Sequence, residues 1–133
     1  MKKTNLKFGL VIALAAFVAG CGAGDPKITN TEVTPATWSV SGIADDVQFT
    51  LTTDVVNFGG DVTSVRADVV GTEKKFDLVK KEDIGAGERW TISTKLTLWN
   101  DLSSGTYPIR ITATDSAGNT AVEEKAATVT VTD

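Results

Sequence analysis

The sequence predicts an all-β fold, a seven-stranded antiparallel sandwich of two sheets, standing behind a cleaved leader. Three observations predict it. From Ile28 onward, apolar and polar residues alternate in short runs, the period of half-buried strands, and no helical period appears. Turn-forming residues separate the runs. The spaces between the runs are too short for the crossover helices that a parallel sheet needs, so the strands should pair antiparallel.

The leader comes first. Lys2, Lys3 and Lys7 precede thirteen uncharged residues, Phe8 to Gly20, and small residues lead up to Cys21. That order of basic, apolar and small parts is that of a secretory signal. The apolar run is too short to span ~30 Å of hydrocarbon, which takes roughly twenty residues. Val18-Ala19-Gly20-Cys21 resembles the lipobox of bacterial lipoproteins. The resemblance implies cleavage between Gly20 and Cys21, diacylglycerol on the Cys21 sulfur, and Cys21 as the new N-terminus. Aspartate after the cysteine is that family's usual inner-membrane retention signal. Gly22 in its place implies the outer membrane, with the domain periplasmic or surface-exposed. Residues 1–20 are thus read as signal peptide and 21–27 as the lipidated cysteine with a short linker. The six steps from Cys21 to Lys27 reach at most ~20 Å.

Residues 28–133 form the domain. Its first strand runs from Ile28 to Val40, bent at Pro35. Val47, Phe49 and Leu51 alternate with polar partners in the second, and Val65, Ala67 and Val69 in the third. Phe76 and Leu78 make a shorter fourth run. Trp90, Ile92, Thr94, Leu96 and Leu98 share one face of the fifth, Tyr107, Ile109, Ile111 and Ala113 of the sixth, and Ala127, Val129 and Val131 of the last. Threonine fills many outward positions, where β-branching suits the pleat and the hydroxyl tolerates water.

Around the sixth run the pattern sharpens. In Gly105-Thr106-Tyr107-Pro108-Ile109, a glycine, a tyrosine and a core residue fall two apart, which resembles the tyrosine corner of immunoglobulin-like domains. Thr112 to Thr120 resembles the F–G hairpin of bacterial immunoglobulin-like surface domains of the Big, PKD or fibronectin III kind. Val33-Thr34-Pro35 with Trp38 and Val40 resembles their first strand. The resemblance implies a phenol bonded back to the preceding loop. It also implies that the chain enters at the end carrying Phe58 and Asp115. Those residues would face the bilayer, with the turn near Asp45 and the loop after Trp99 pointing away. A pair of half-cystines and a clear strand-C tryptophan are missing, which excludes the antibody subtype; Trp90 is expected to fill the core from another strand.

Composition narrows the chemistry. The chain has no histidine, and its single cysteine is the one assigned to lipid. The commonest general base and metal ligand is therefore absent, along with any internal disulfide or thiol nucleophile. No cofactor is implied. After the leader, ten basic residues face seventeen acidic ones, a net charge of −7. Nucleic acid is not an expected partner, and attachment to anionic lipid should rest on the acyl chains.

Candidate sites are few. Asp115, with Gly118 and Asn119, is a weak calcium candidate, read chiefly as a capped turn without a complete calcium-loop spacing. Phe58, in the apolar loop from Asp54 to Asp61, is a recognition element or a plug over the sandwich end. Trp38 and Trp99 could stack on a sugar or anchor a protein, or each could cover a core end. The mixed-charge segment Glu73 to Glu88 reads as a solvated edge. The expected function is therefore a non-catalytic interaction or structural module on the cell envelope. Its partner would be a protein or a surface assembly joined by its loops or by edge pairing at Ile28 to Val40 or Ala121 to Val131. A carbohydrate-binding module using Trp38 or Trp99 is the alternative. An enzyme built on Asp45 and Asp46 is disfavoured, since neighbouring side chains in a strand point different ways.

Overall fold

The computed structural model describes residues 26–41, 43 and 46–133. Gly20, Cys21, Gly22 and Asp45 lie outside them. The described residues form an all-β body with no α-helix. Its strands are β1 (Lys27–Thr34), β2 (Thr37–Ser39), β3 (Gln48–Val56), β4 (Val62–Val69), β5 (Lys75–Asp77), β6 (Val79–Ile84), β7 (Gly87–Lys95), β8 (Gly105–Asp115) and β9 (Thr120–Thr132). They make two sheets, ordered β1-β3-β7-β6 and β2-β9-β8-β4-β5. Phe49, Leu51, Val55 and Ile28 face Val65, Ala67, Val69, Ile109, Ile111, Val129 and Val131 across a shared core. Odd-numbered residues of β3, and of β8 from Ile109 onward, are buried while most even-numbered ones reach solvent, the alternation that a sheet covered on one face requires.

Three expectations are corrected. Seven strands become nine because two runs each serve both sheets. Proline cannot donate to a ladder, and at Pro35 the first run leaves β3 for β9: β1 pairs with β3, and β2 with β9. The short run around Phe76 divides at buried Leu78 into β5 beside β4 and β6 beside β7. Pairing is not wholly antiparallel either, since β2 lies parallel to β9, a consequence of that same crossing.

The third correction concerns β7, which stops at Lys95 instead of reaching Leu98. There Leu96 N–H bonds the Val47 carbonyl at 2.9 Å, and Leu96–Trp99 close into one turn of 3-10 helix. Such a turn repeats every three residues. Leu96 and Trp99 therefore point inward, and Leu98 is 59% exposed.

Candidate functional site

Trp99 anchors the end of the sandwich where β7 stops. Its ring stacks on Phe76 at 5.5 Å, lies 4.5 Å from Phe49, and meets Trp38 edge-on at 5.3 Å. Trp99 is 0% exposed and Trp38 7%. Neither has a ring face free for a sugar or a partner, so the binding role considered for both is withdrawn. The period-three turn and the crossing of β2 onto the second sheet carry these rings inward. Their indole N–H groups find no acceptor among the described residues. The edge-on pair does bring the positive rim of one ring to the negative face of the other. Trp90 also belongs to the core, its indole N–H donating to Glu88 at 3.0 Å.

At the opposite end, three tips meet: residues 57–61, the turn between β6 and β7, and residues 116–119. Asn57 N–H donates to the Ala86 carbonyl at 3.4 Å, and Ser116 N–H to the Asp61 carbonyl at 2.8 Å. Asn57 adopts a φ of 64°, which asparagine tolerates better than most residues. Asp115, 3% exposed, ties the tips together. Oδ1 accepts from the Ala117 and Asn119 amides at 2.9 and 2.8 Å; Oδ2 accepts from the Gly60 amide at 3.0 Å and the Asn119 side chain at 2.8 Å. Burial opposes ionisation of this carboxyl, but the N–H donors outweigh it and hold Asp115 below the usual carboxylate range. An oxygen pair saturated by donors is poorly placed to coordinate calcium, so Asp115 is a turn cap. Among the described residues no group of three or more acidic or cysteine side chains is arranged to hold a metal. Phe58 is half-buried against the core and acts as the plug, not a projecting anchor.

A network the sequence reading missed crosses the first sheet. Asp54 stands on the outward parity of β3 yet is 5% exposed, because Arg89 of β7 grips it with Nε at 2.8 Å and Nη2 at 3.2 Å. Asn30 of β1 adds a bond at 3.0 Å, and Arg89 Nη1 reaches Glu82 of β6 at 2.9 Å. All four strands of the sheet are thereby joined in one row. The hydrogen bonds from Arg89 hold the Asp54 carboxyl below its ordinary range against the cost of burial, and the same pair raises Arg89. A bulge between Thr29 and Glu32, with Asn30 at a φ of 51°, turns that amide onto Asp54. The only sequence signal was a polar residue within an apolar run, which single-strand alternation cannot pair with Arg89.

The segment from Glu73 to Glu88 behaves as a solvated edge. β6 closes the first sheet with five of its six residues exposed, and Lys80 pairs with Asp83 and Glu88. Lys74 instead bridges to Asp101 and to the Leu98 carbonyl, both at 2.9 Å. Asp46 is exposed. Among the described residues, the large exposed apolar side chains, Val79, Leu98 and Val122, are dispersed along the chain.

No family model and no curated protein matches the chain. Among solved structures, an engineered protein is 23% identical, with a TM-score of 0.48 over 92% of this chain and 22% of its own. A modular endo-β-1,4-mannanase from Cellulomonas fimi is 21% identical, with a TM-score of 0.40 over 87% of this chain and 20% of its own. The chain thus spans about a fifth of the length of either.

Proposed function

We propose that the protein is a lipid-anchored lipoprotein of the bacterial envelope whose immunoglobulin-like sandwich serves as a non-catalytic interaction or structural module. The observation that carries this reading is the lipobox-like Val18-Ala19-Gly20-Cys21 leading, through a six-step linker, into a body whose buried carboxylates, two among the described residues, are engaged in structural bonds. Asp54 is held by Arg89 and Asn30, and Asp115 by the turn it caps. Neither offers a free oxygen to a substrate.

The immunoglobulin-like assignment draws support from topology. A first run shared between sheets ordered β1-β3-β7-β6 and β2-β9-β8-β4-β5 suits that class. Tyr107 adds to it, donating its phenol hydrogen to the Ser103 carbonyl at 2.7 Å, the bond a tyrosine corner makes. Sandwiches of this kind bind through loops or by strand addition at an edge.

Expression of the full chain in a bacterial host with lipoprotein processing, followed by mass spectrometry of the exported form, tests the anchor. Acylated Cys21 and a membrane-bound protein are expected, with Cys21→Ser moving it to the soluble fraction. An exported form carrying a free thiol would defeat the reading. A pull-down from detergent-solubilised membranes with the lipidated protein as bait then tests the module, a specific protein partner being the expected result.

A further inference from the structure

We propose that the loop end formed by residues 57–60, 84–87 and 116–119 rests on the head-group layer of the membrane, a lipid surface being its partner. This rests on the reading of Cys21 as the anchor. The first observation is where the chain enters. Lys27 pairs with Val56 at the last residue of β3, so the linker reaches the body at this end. At most ~20 Å of extended chain separates Cys21 from Lys27. The far end, with Trp99 and the turn between β4 and β5, stands about 30 Å further on, the length of a nine-residue strand such as β3.

The second observation is charge. Overall, 23% of the residues are charged. Yet Asn57-Phe58-Gly59-Gly60, Ile84-Gly85-Ala86-Gly87 and Ser116-Ala117-Gly118-Asn119 carry none. They form one contiguous surface: Asn57 bonds Ala86, and Gly60 sits against Ser116 and Ala117. Among the described residues, charged side chains begin only at its margin, with Lys27, Asp61, Asp83 and Glu88, while the Asp115 carboxylate is turned inward onto four donors. A body of net charge −7 is repelled by anionic lipid everywhere its acids point outward. The end brought to the bilayer is the one that escapes this repulsion. It also exposes Gly59, Gly85 and Gly118. Without side chains, their peptide groups can approach phosphate oxygens closely.

Glycine amide resonances of the full lipidated protein can read this contact. The protein is placed in nanodiscs of phosphatidylethanolamine with a minority of phosphatidylglycerol, doped with a nitroxide-headgroup lipid. Gly59, Gly85 and Gly118 should broaden strongly, while Gly71 and Gly105 at the far end should not. The paired substitution Ala86→Glu and Ala117→Glu, both exposed positions, should abolish the difference and leave the other resonances in place. Equal broadening at both ends means free tumbling on the leash and overturns the docking while the anchor reading stands. Preferential broadening of Gly71 and Gly105 overturns it by reversing the orientation. Mass spectrometry of the same sample separates the premises, since an unmodified Cys21 overturns both.

Discussion

At the scale of single residues, close approach and hydrogen-bond saturation decide what can change. Gly87 opens β7 opposite Val56, and a Cβ there would collide with the Val55 carbonyl oxygen and crowd the Val55–Val56 backbone. The obstacle is backbone in a strand paired on both sides, which cannot swing away as a flexible side chain could. Gly87→Ala should therefore destabilise by about 1–3 kcal/mol, the usual range for overpacking, whereas Gly85→Ala, with nothing near its Cβ, should stay within about 0.5 kcal/mol. Urea unfolding of the two variants provides the comparison, and equal midpoints would contradict the steric account. Asp115 works through satisfaction, not space. Asp115→Ala strips acceptors from three backbone amides and should cost about 1–3 kcal/mol. Hydrogen exchange should rise first at Gly60, Ala117 and Asn119. If exchange there is unchanged, the cap is not holding the tips together.

Among the elements, period-two alternation located most of the strands and the face each one buries. It placed β3, β4 and β8 on the right parity, and it made Ile109 and Val129 core residues before any pairing was known. It missed whatever depends on the third dimension. Nothing local distinguishes a proline bend within one strand from a crossing between sheets, because the acceptor that draws Thr130 N–H is the Ala36 carbonyl, distant in sequence. The candidate sites show the same boundary: the capped turn at Asp115 was legible from Asp, Gly and Asn in order, but the Asp54–Arg89 row required the register of two strands. Leu96 to Trp99 is the clearest case, since an alternating run continued into a turn of period three. That turn gives a paired prediction. Trp99→Ala should cost about 3–5 kcal/mol as a buried aromatic, and Leu98→Lys should stay within about 0.5 kcal/mol. A strand continuing through Leu98 would make Leu98 the costly one. Thermal unfolding of both variants reads the order directly.

For the whole molecule, the two carboxylates buried among the described residues set how stability depends on pH. Asp54 and Asp115 have folded pKa values held below the ordinary carboxylate range, Asp54 by Arg89 and Asn30, Asp115 by its amide donors against the pull of burial. A depressed folded pKa means that the unfolded chain takes up protons first as pH falls. The stabilisation is then fully present above the unfolded value near 4 and is lost as pH falls through the folded values. With no histidine in the chain, no imidazole adds a second transition near neutrality. Chemical unfolding followed by tryptophan emission, which reports the burial of Trp38, Trp90 and Trp99, should therefore give a plateau from neutral pH down to about 5 and a steep decline below 4. Asp54→Asn and Asp115→Asn together should lower the plateau and flatten the decline, because the sites that couple folding to protons are gone. The two sites lie in separate networks, one across the first sheet and one at the loop end, so their losses should be additive. A decline as steep in the double variant as in the parent would assign the acid limb to the general repulsion of a protonated surface and remove these two carboxylates from the explanation.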